Sequence, residues 1–118
     1  MNKDNAVYLQ DILKAINKIE DYLKGVSYET FIEEPMRQDA IIRHLEIIGE
    51  AATRISKDFL VQNPHFPIKE AVSMRNFLIH GYDQVDVNVV WKTIQNDIPF
   101  LKNQLVALKV SNKSERPF

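Results

Sequence analysis

Arg75, His80 and Tyr82 stand close together at the end of an apolar segment, where Gly81 interrupts it. Arginine binds phosphate through a planar fork of donors. Histidine can give or take a proton near neutral pH, and a tyrosine hydroxyl can donate a hydrogen bond or accept a covalent group. Together these residue types suggest chemistry on a phosphodiester that requires no metal.

The spacing of Arg75 and His80 limits how the two side chains can meet. If the segment is α-helical, five residues correspond to ~140° of rotation and ~7.5 Å of rise, so the side chains leave the helix in different directions. Acting on one substrate then requires an unwound helix end, bent side chains or a second subunit. Asn76 lies four residues before His80 and shares its helical face, so it can orient the ring or the substrate.

A ribonuclease mechanism fits these residues. His80 lies in a last helical turn, where the helix dipole favours its protonated form, and it can act as general acid or base, an effect worth ~10²–10⁴-fold. Arg75 can stabilise the charge that builds on the phosphoryl oxygens. The alternative is structural: His80 caps the helix and Tyr82 covers the end of the bundle.

Composition narrows the class of protein. A chain of 118 residues without cysteine fits one domain and excludes disulfides and thiolate chemistry. No apolar run approaches the ~20 residues that span a bilayer, and the N-terminal residues lack the apolar core of a signal peptide. We therefore expect a cytoplasmic protein. The net charge of −1 argues against a broad electrostatic grip on nucleic acid, so RNA binding would rely on a small site or on partner chains.

Four amphipathic segments predict an all-α protein, an antiparallel four-helix up-and-down bundle with short extra helical turns. The helices are expected over about 4–24, from Pro35 through Ile55, from about Ile68 to His80, and from Asp86 through Leu108. The domain covers 1–110, and 111–118 form a polar, frayed tail.

Local residue types refine this outline. Gly25 ends the first helix, and Ser27 caps a short turn that holds Tyr28 and Phe31. Gly49 is small enough to let a neighbouring backbone approach closely. Pro99 should kink the last helix, because it removes a backbone donor.

Other residues that could bear chemistry have simpler explanations. His44 and His65 are isolated, so we expect no metal site. Glu46 and Glu50 are expected to pair with Arg43 and Arg54 on the surface of their helix, or else to line a cleft. Trp91 is interpreted as a core or dimer contact, and no phosphate-binding glycine loop is present.

The pattern Arg75-x-x-x-x-His80-x-Tyr82 resembles the signature of HEPN-domain ribonucleases. Further segments resemble the HepT-like family in order and spacing, namely 11–16, 38–43, 45–52, 75–82 and 90–99. This resemblance implies an all-α HEPN fold, a homodimer, and the toxin half of a type VII toxin–antitoxin pair. The implied antitoxin partner is a minimal nucleotidyltransferase of the MntA type, and the implied substrate is RNA, either tRNA or mRNA.

The resemblance also assigns roles to the motif. It implies that Arg75 and His80 are the catalytic pair, that no cofactor is needed, and that Tyr82 is the tyrosine to which the antitoxin adds AMP. Ile68 stands where many relatives have tryptophan, so a local repacking is expected there. The alternative within the same fold is a non-catalytic HEPN subunit that binds nucleotide or accompanies a nucleotidyltransferase.

Overall fold

The computed structural model describes residues 3–78 and 85–112, with side chains over 4–76 and 85–108. Within these ranges the chain is helical and contains no strand, so the predicted all-α class is confirmed. The α-helices are α1 (Lys3–Leu23), α2 (Tyr28–Phe31), α3 (Pro35–Thr53), α4 (Lys57–Gln62), α5 (Ile68–Ser73), α6 (Val87–Lys92) and α7 (Ile98–Asn112). A 3₁₀ segment, Met74–Leu78, follows α5, and a π-helical segment, Thr93–Asp97, joins α6 to α7.

Helix α1 buries one apolar stripe at steps of three and four residues: Leu9, Ile12, Ile16 and Ile19. It ends at Leu23, and Gly25 follows with a φ of +72°, a left-handed conformation that glycine adopts at low cost. The Ser27 side chain then caps α2 by accepting a hydrogen bond from the Thr30 amide. The predicted stop at Gly25 and the predicted cap at Ser27 are confirmed, whereas α1 begins at Lys3, before the expected caps Asp4 or Asn5.

Helix α3 begins with Pro35 and packs antiparallel to α1. At one end of the pair, Asn5 Nδ2 donates to Ser56 Oγ at 2.9 Å, while the Ser56 amide donates back to Asn5 Oδ1 at 3.0 Å. At the other end, the Tyr22 ring meets the edge of His44, with ring centroids 5.5 Å apart. The buried side chains of α3 face α1 and α5: Ile41, Ile42, Leu45, Ile48, Ala51 and Ala52.

Helix α4 was not predicted. Ser56 caps it by accepting from the Phe59 amide at 3.2 Å, and Phe59 packs edge-on against Phe66 with centroids 5.7 Å apart. A serine three residues before a buried aromatic is a recognisable helix start. The predicted outline ended the second helix at Ile55 and placed no further helix before Ile68.

The third predicted helix differs from the structure. The α-helix ends at Ser73, and Met74–Leu78 continue as a 3₁₀ segment packed mainly on α3. The α-helical spacing assumed for the motif is therefore wrong from residue 74 to residue 78. In a 3₁₀ turn it is residues i and i+3 that eclipse each other, so side-chain directions change.

The last predicted helix is divided into three parts. Asp86 caps α6, with its Oδ1 accepting from the Asn88 amide at 2.9 Å, as expected. The π-helical segment lies immediately before Ile98 and Pro99, where a regular α-helix would lack one hydrogen-bond donor. The disturbance predicted at Pro99 therefore takes the form of a π-helical turn, which is wider than an α-helical one. Lys102 Nζ and Glu20 Oε1, 2.8 Å apart, link α7 to α1.

In the described part of the chain, none of the helices is long and apolar enough to cross a bilayer. Trp91 is half-buried against Tyr28 and Phe31, with ring centroids 5.5 and 5.2 Å apart, respectively. Its ring therefore belongs to a packed aromatic cluster between α2 and α6. The Tyr28 hydroxyl also donates to the side-chain oxygen of Asn88, which ties α2 to the start of α6.

Candidate functional site

Arg75 is the residue of the predicted catalytic motif that the structure describes most fully. It lies in the first turn of the 3₁₀ segment, directly after α5, and its side chain is 38% exposed. The segment before it is anchored by Ala71 and Met74, which are almost completely buried. The backbone of Arg75 is therefore fixed by the core, while its guanidinium reaches the surface.

Gly49 on α3 lies against the backbone of Arg75. A Cβ atom built on Gly49 would be 2.6 Å from both the amide nitrogen and the Cβ of Arg75, and 3.0 Å from the Val72 carbonyl oxygen. Real Cβ atoms essentially never come within 3.0 Å of such neighbours. The absence of a side chain at Gly49 thus permits the contact between α3 and the 3₁₀ segment, and the predicted close approach is confirmed.

Glu50, the next residue of α3, binds the Arg75 side chain. Arg75 Nη1 donates to Glu50 Oε1 at 3.3 Å, between side chains that are 38% and 53% exposed. The predicted pairing of Glu50 with Arg54 is therefore wrong, because the folded chain brings the more distant Arg75 to the same carboxylate. The other predicted pair is confirmed, with Arg43 Nη1 and Glu46 Oε1 2.5 Å apart.

The Nε atom of Arg75 is buried, and no described residue accepts its hydrogen bond. A buried donor without a partner is costly, so this nitrogen does not contribute to the stability of the fold. The five N–H donors of this guanidinium are therefore unequal. Nε is shielded from solvent, and Nη1 is partly used by Glu50.

A surface groove of about 320 Å³ adjoins this ion pair between α1 and α3. It is lined by Tyr8, Asp11, Arg43, Glu46, Ile47, Glu50, Ala51 and Arg54. A second pocket of about 210 Å³ continues it through the shared Asp11 and Ile47, and adds Lys14, Lys18 and His44. The first groove combines two arginines with three carboxylates over an apolar floor, so it is not a strongly cationic surface. The alternative expectation for Glu46 and Glu50, that they line a cleft, agrees with this groove.

His80 and Tyr82 lie outside the described residues, as does Gly81. Asn76, the proposed supporting residue, is described and exposed beside Arg75. The structure thus places Arg75 and Asn76 at the surface of the 3₁₀ segment. The proposed roles of His80 and Tyr82 stay predictions.

The two isolated histidines have structural surroundings. His44 Nδ1 lies 2.8 Å from the Ala40 carbonyl oxygen, one helical turn earlier. His65 lines a pocket of about 250 Å³ between the α4–α5 connection and α7. Across residues 3–78 and 85–112, no three histidine or carboxylate side chains form a group that could hold a metal ion.

A carboxylate pair lies elsewhere on the surface of the bundle. Partial desolvation, together with the negative charge of Glu70, raises the pKa of Asp97 above its ordinary value. Here neither lines the groove next to Arg75, so the pair has no assigned role in the candidate site.

The sequence pointed to Arg75 and Asn76 but did not reveal that Glu50 binds Arg75. The sequence indicated this contact only in part. Glu50 follows a glycine that permits close packing, but it shares a helical face with Arg54, which was the nearer candidate partner. The pairing partner depended on where α5 lies, and helical spacing within α3 could not reveal it.

These features define a class: an all-α bundle that presents a semi-exposed arginine from an irregular helix end beside a surface groove. Comparison with protein families then identifies the family. Residues 12–108 match the family described as "Ribonuclease HepT-like", and the chain belongs to it. The family predicted from the motif is confirmed, and the class of activity that membership assigns is that of a ribonuclease.

Curated relatives agree with this assignment over nearly their whole length. The chain is 43% identical over 109 residues to "Probable ribonuclease HepT" of Thermococcus cleftensis, covering 92% of this chain and 99% of that protein. It is 40% identical over 103 residues to "Putative RNase MJ1380" of Methanocaldococcus jannaschii, covering 87% and 94%. It is 39% identical over 98 residues to "Putative RNase TTE0752" of Caldanaerobacter subterraneus, covering 83% and 88%. A search of solved structures gave no significant match.

Proposed function

We propose that this protein is a metal-independent endoribonuclease that cleaves tRNA or mRNA with Arg75 and His80. The observation that carries the proposal is the placement of Arg75. Its backbone is fixed against Gly49, its guanidinium is half-exposed beside a groove, and the chain belongs to the HepT-like ribonuclease family. A fixed cation at an accessible surface is suited to bind the charge of a phosphodiester.

The proposed reaction uses the RNA's own 2′-hydroxyl as nucleophile. The 2′-oxygen attacks the adjacent phosphorus and loses its proton to a general base, while the bond to the 5′-oxygen breaks and that oxygen takes up a proton. The products are a 2′,3′-cyclic phosphate and a 5′-hydroxyl. His80 supplies proton transfer, Arg75 stabilises the negative charge on the phosphoryl oxygens, and Asn76 orients the ring or the substrate.

A homodimer is part of the proposal. The resemblance to HEPN-domain ribonucleases implies a homodimer, in which residues of two chains can act on a single phosphate. Two motif-bearing helix ends that face each other across a two-fold axis can combine Arg75 of one subunit with His80 of the other. Size measurement in solution tests this arrangement, and a monomer that cleaves RNA would contradict it.

The biological role proposed is that of a toxin in a type VII toxin–antitoxin system. The antitoxin, a minimal nucleotidyltransferase of the MntA type, would add AMP to Tyr82. An AMP group beside Arg75 and His80 adds bulk and negative phosphate, which would block the site and compete for its cations. Family membership and the position of Tyr82 two residues after His80 support this proposal.

The cleavage proposal is tested with free protein and tRNA in the presence of EDTA, alongside Arg75→Ala and His80→Ala. We expect cleavage by the wild type and a loss of at least ~10²-fold in each variant. Equal cleavage by all three proteins would exclude the assigned residues. A wild type without cleavage would favour a non-catalytic HEPN subunit that binds nucleotide or partners the nucleotidyltransferase.

The modification proposal has a separate test. The protein is coexpressed with a minimal nucleotidyltransferase encoded beside it, and its intact mass is measured together with that of Tyr82→Phe. We expect one or more AMP adducts on the wild type and none on the variant. An adduct that persists in Tyr82→Phe would place the modification elsewhere.

A further inference from the structure

Two adjacent residues of α3 contact Arg75: Gly49 lies against its backbone, and Glu50 binds its guanidinium. We infer that Gly49 and Glu50 are positioning residues for Arg75, and that together they turn the terminal edge of its guanidinium toward the RNA phosphate. The inference rests on the proposed function, in which Arg75 contacts the phosphodiester. It adds which residues set the orientation of that contact and which nitrogen atoms make it.

Gly49 determines where the backbone of Arg75 lies. A Cβ atom at Gly49 would stand 2.6 Å from the amide nitrogen and the Cβ of Arg75, and neither of these atoms can rotate away. Adding a methyl group must therefore displace the 3₁₀ segment from α3 or distort α3 itself. Because protein interiors are close-packed, such a displacement carries Arg75 with it.

Glu50 determines the direction of the guanidinium. It accepts from Nη1 at 3.3 Å, whereas Nε is buried and has no described acceptor. Of the five N–H donors of arginine, the one on Nε is shielded and one on Nη1 is engaged. The three that remain are on the terminal nitrogens, so a phosphate meets Arg75 end-on through Nη1 and Nη2.

The ion pair is weak enough to share the guanidinium with a substrate. Both side chains are partly exposed, at 38% for Arg75 and 53% for Glu50, and exposed ion pairs are screened by water. A phosphate can therefore bind the outward donors while Glu50 continues to hold Nη1. The carboxylate acts as an orienting group that does not itself contact the reacting atoms.

The test compares turnover and RNA affinity in two matched pairs of variants. Gly49→Ala is compared with Ile19→Val, a change in the core near the far end of α1. Glu50→Ala is compared with Glu20→Ala, which removes a carboxylate that binds Lys102 between α1 and α7 and does not line the groove.

We expect kcat to fall about 10–100-fold in Gly49→Ala, because small misplacements of a catalytic group have costs of that order. In Glu50→Ala we expect a fall of about 5-fold, which is the factor that a partly exposed ion pair can supply. KM should change less than about 2-fold in both, since the charge of Arg75 is retained. Both controls should keep wild-type kcat at a temperature where they are folded.

Chemical rescue provides a readout that a purely structural role of Glu50 would not affect. In Arg75→Ala, added guanidinium should bind against Glu50 in the vacated space and restore part of the cleavage rate. Restoration should be lost in Arg75→Ala/Glu50→Ala and kept in Arg75→Ala/Glu20→Ala. Absence of any restoration, or equal restoration in both double variants, would overturn the role of Glu50.

The outcomes separate this inference from the proposed function. Full cleavage by Arg75→Ala would overturn the proposed function and the inference with it. A strong loss in Arg75→Ala, with wild-type kcat in Glu50→Ala or in folded Gly49→Ala, would overturn the inference alone. If Gly49→Ala does not fold, the comparison of Glu50→Ala with Glu20→Ala and the rescue experiment decide whether the inference holds.

Discussion

The substitution Gly49→Ala is expected to change stability in two opposite ways, through helix propensity and through a tertiary contact. The free energy of unfolding of this variant therefore tests the packing of Arg75 on α3. Gly49 lies within the helix Pro35–Thr53. In a helix interior, alanine is favoured over glycine by about 1 kcal/mol, because glycine loses more backbone freedom on folding. Intrinsic helix propensity therefore predicts a more stable protein.

The tertiary contact predicts the reverse. The new Cβ would lie 2.6 Å from two atoms of Arg75, so the segment must move about 0.8 Å to reach the 3.4 Å of ordinary contact. Overpacking of a tight contact costs about 1–3 kcal/mol. Subtracting the gain in propensity leaves the variant destabilised by about 1 kcal/mol, with a lower Tm by about 4 °C.

Urea unfolding followed by circular dichroism measures this difference at 25 °C. Ala107→Gly is the matched control, because its exposed position on α7 reports the propensity effect without the contact; it should lose about 1 kcal/mol. If Gly49→Ala were instead stabilised by about 1 kcal/mol, the close packing of α3 on the 3₁₀ segment would be refuted.

Three further substitutions test other parts of the fold, each by urea unfolding. Ser56→Ala removes the cap of α4 and the acceptor of the Asn5 side chain, so it should lower the free energy of unfolding by about 1–2 kcal/mol. Its control, Ser73→Ala at an exposed position, should change that free energy by less than about 0.5 kcal/mol. Equal effects of the two substitutions would contradict the assigned cap. Ile12→Ala empties a fully buried position and should cost about 2–5 kcal/mol, and a cost below about 1 kcal/mol would argue against α1 as a core helix. Asp97→Asn should stabilise the protein at pH 7, because a carboxyl whose pKa is raised by folding contributes stability below its ordinary value of 3.8 and loses it as the pH rises through the folded pKa. The gain should disappear on acidification below that value, and a gain independent of pH would exclude titration of Asp97 as its cause.

Much of the helical outline could be predicted because it depends on local signals. The apolar stripe of α1, the stop at Gly25, the cap at Ser27 and the cap at Asp86 each follow from a few neighbouring residues. The same holds for the irregularity at Pro99, since a missing backbone donor disturbs any helix. The helix α4 was omitted because its six residues are too few to show a helical apolar period of their own.

The candidate site was predictable in its residue types but not in its contacts. Arg75 stood out because it begins a recognisable motif, and Gly49 because a glycine inside a helix implies close packing. The partner of Glu50 was predicted incorrectly, since Arg54 is its neighbour in the helix and Arg75 is 25 residues away. No local pattern specifies an ion pair between two helices.

The amino-acid sequence by itself determined the all-α class, several helix starts and stops, the family and the residues available for chemistry on RNA. Those properties arise from side-chain type, short-range spacing and motif order. Only the tertiary structure decided that the helix after Ile68 tightens to a 3₁₀ segment and that Gly49 fits against the backbone of Arg75. It also decided that Glu50 pairs with Arg75 and not with its helical neighbour Arg54. These properties depend on how closely α5 can approach α3, and that distance is set by the packing of the whole core.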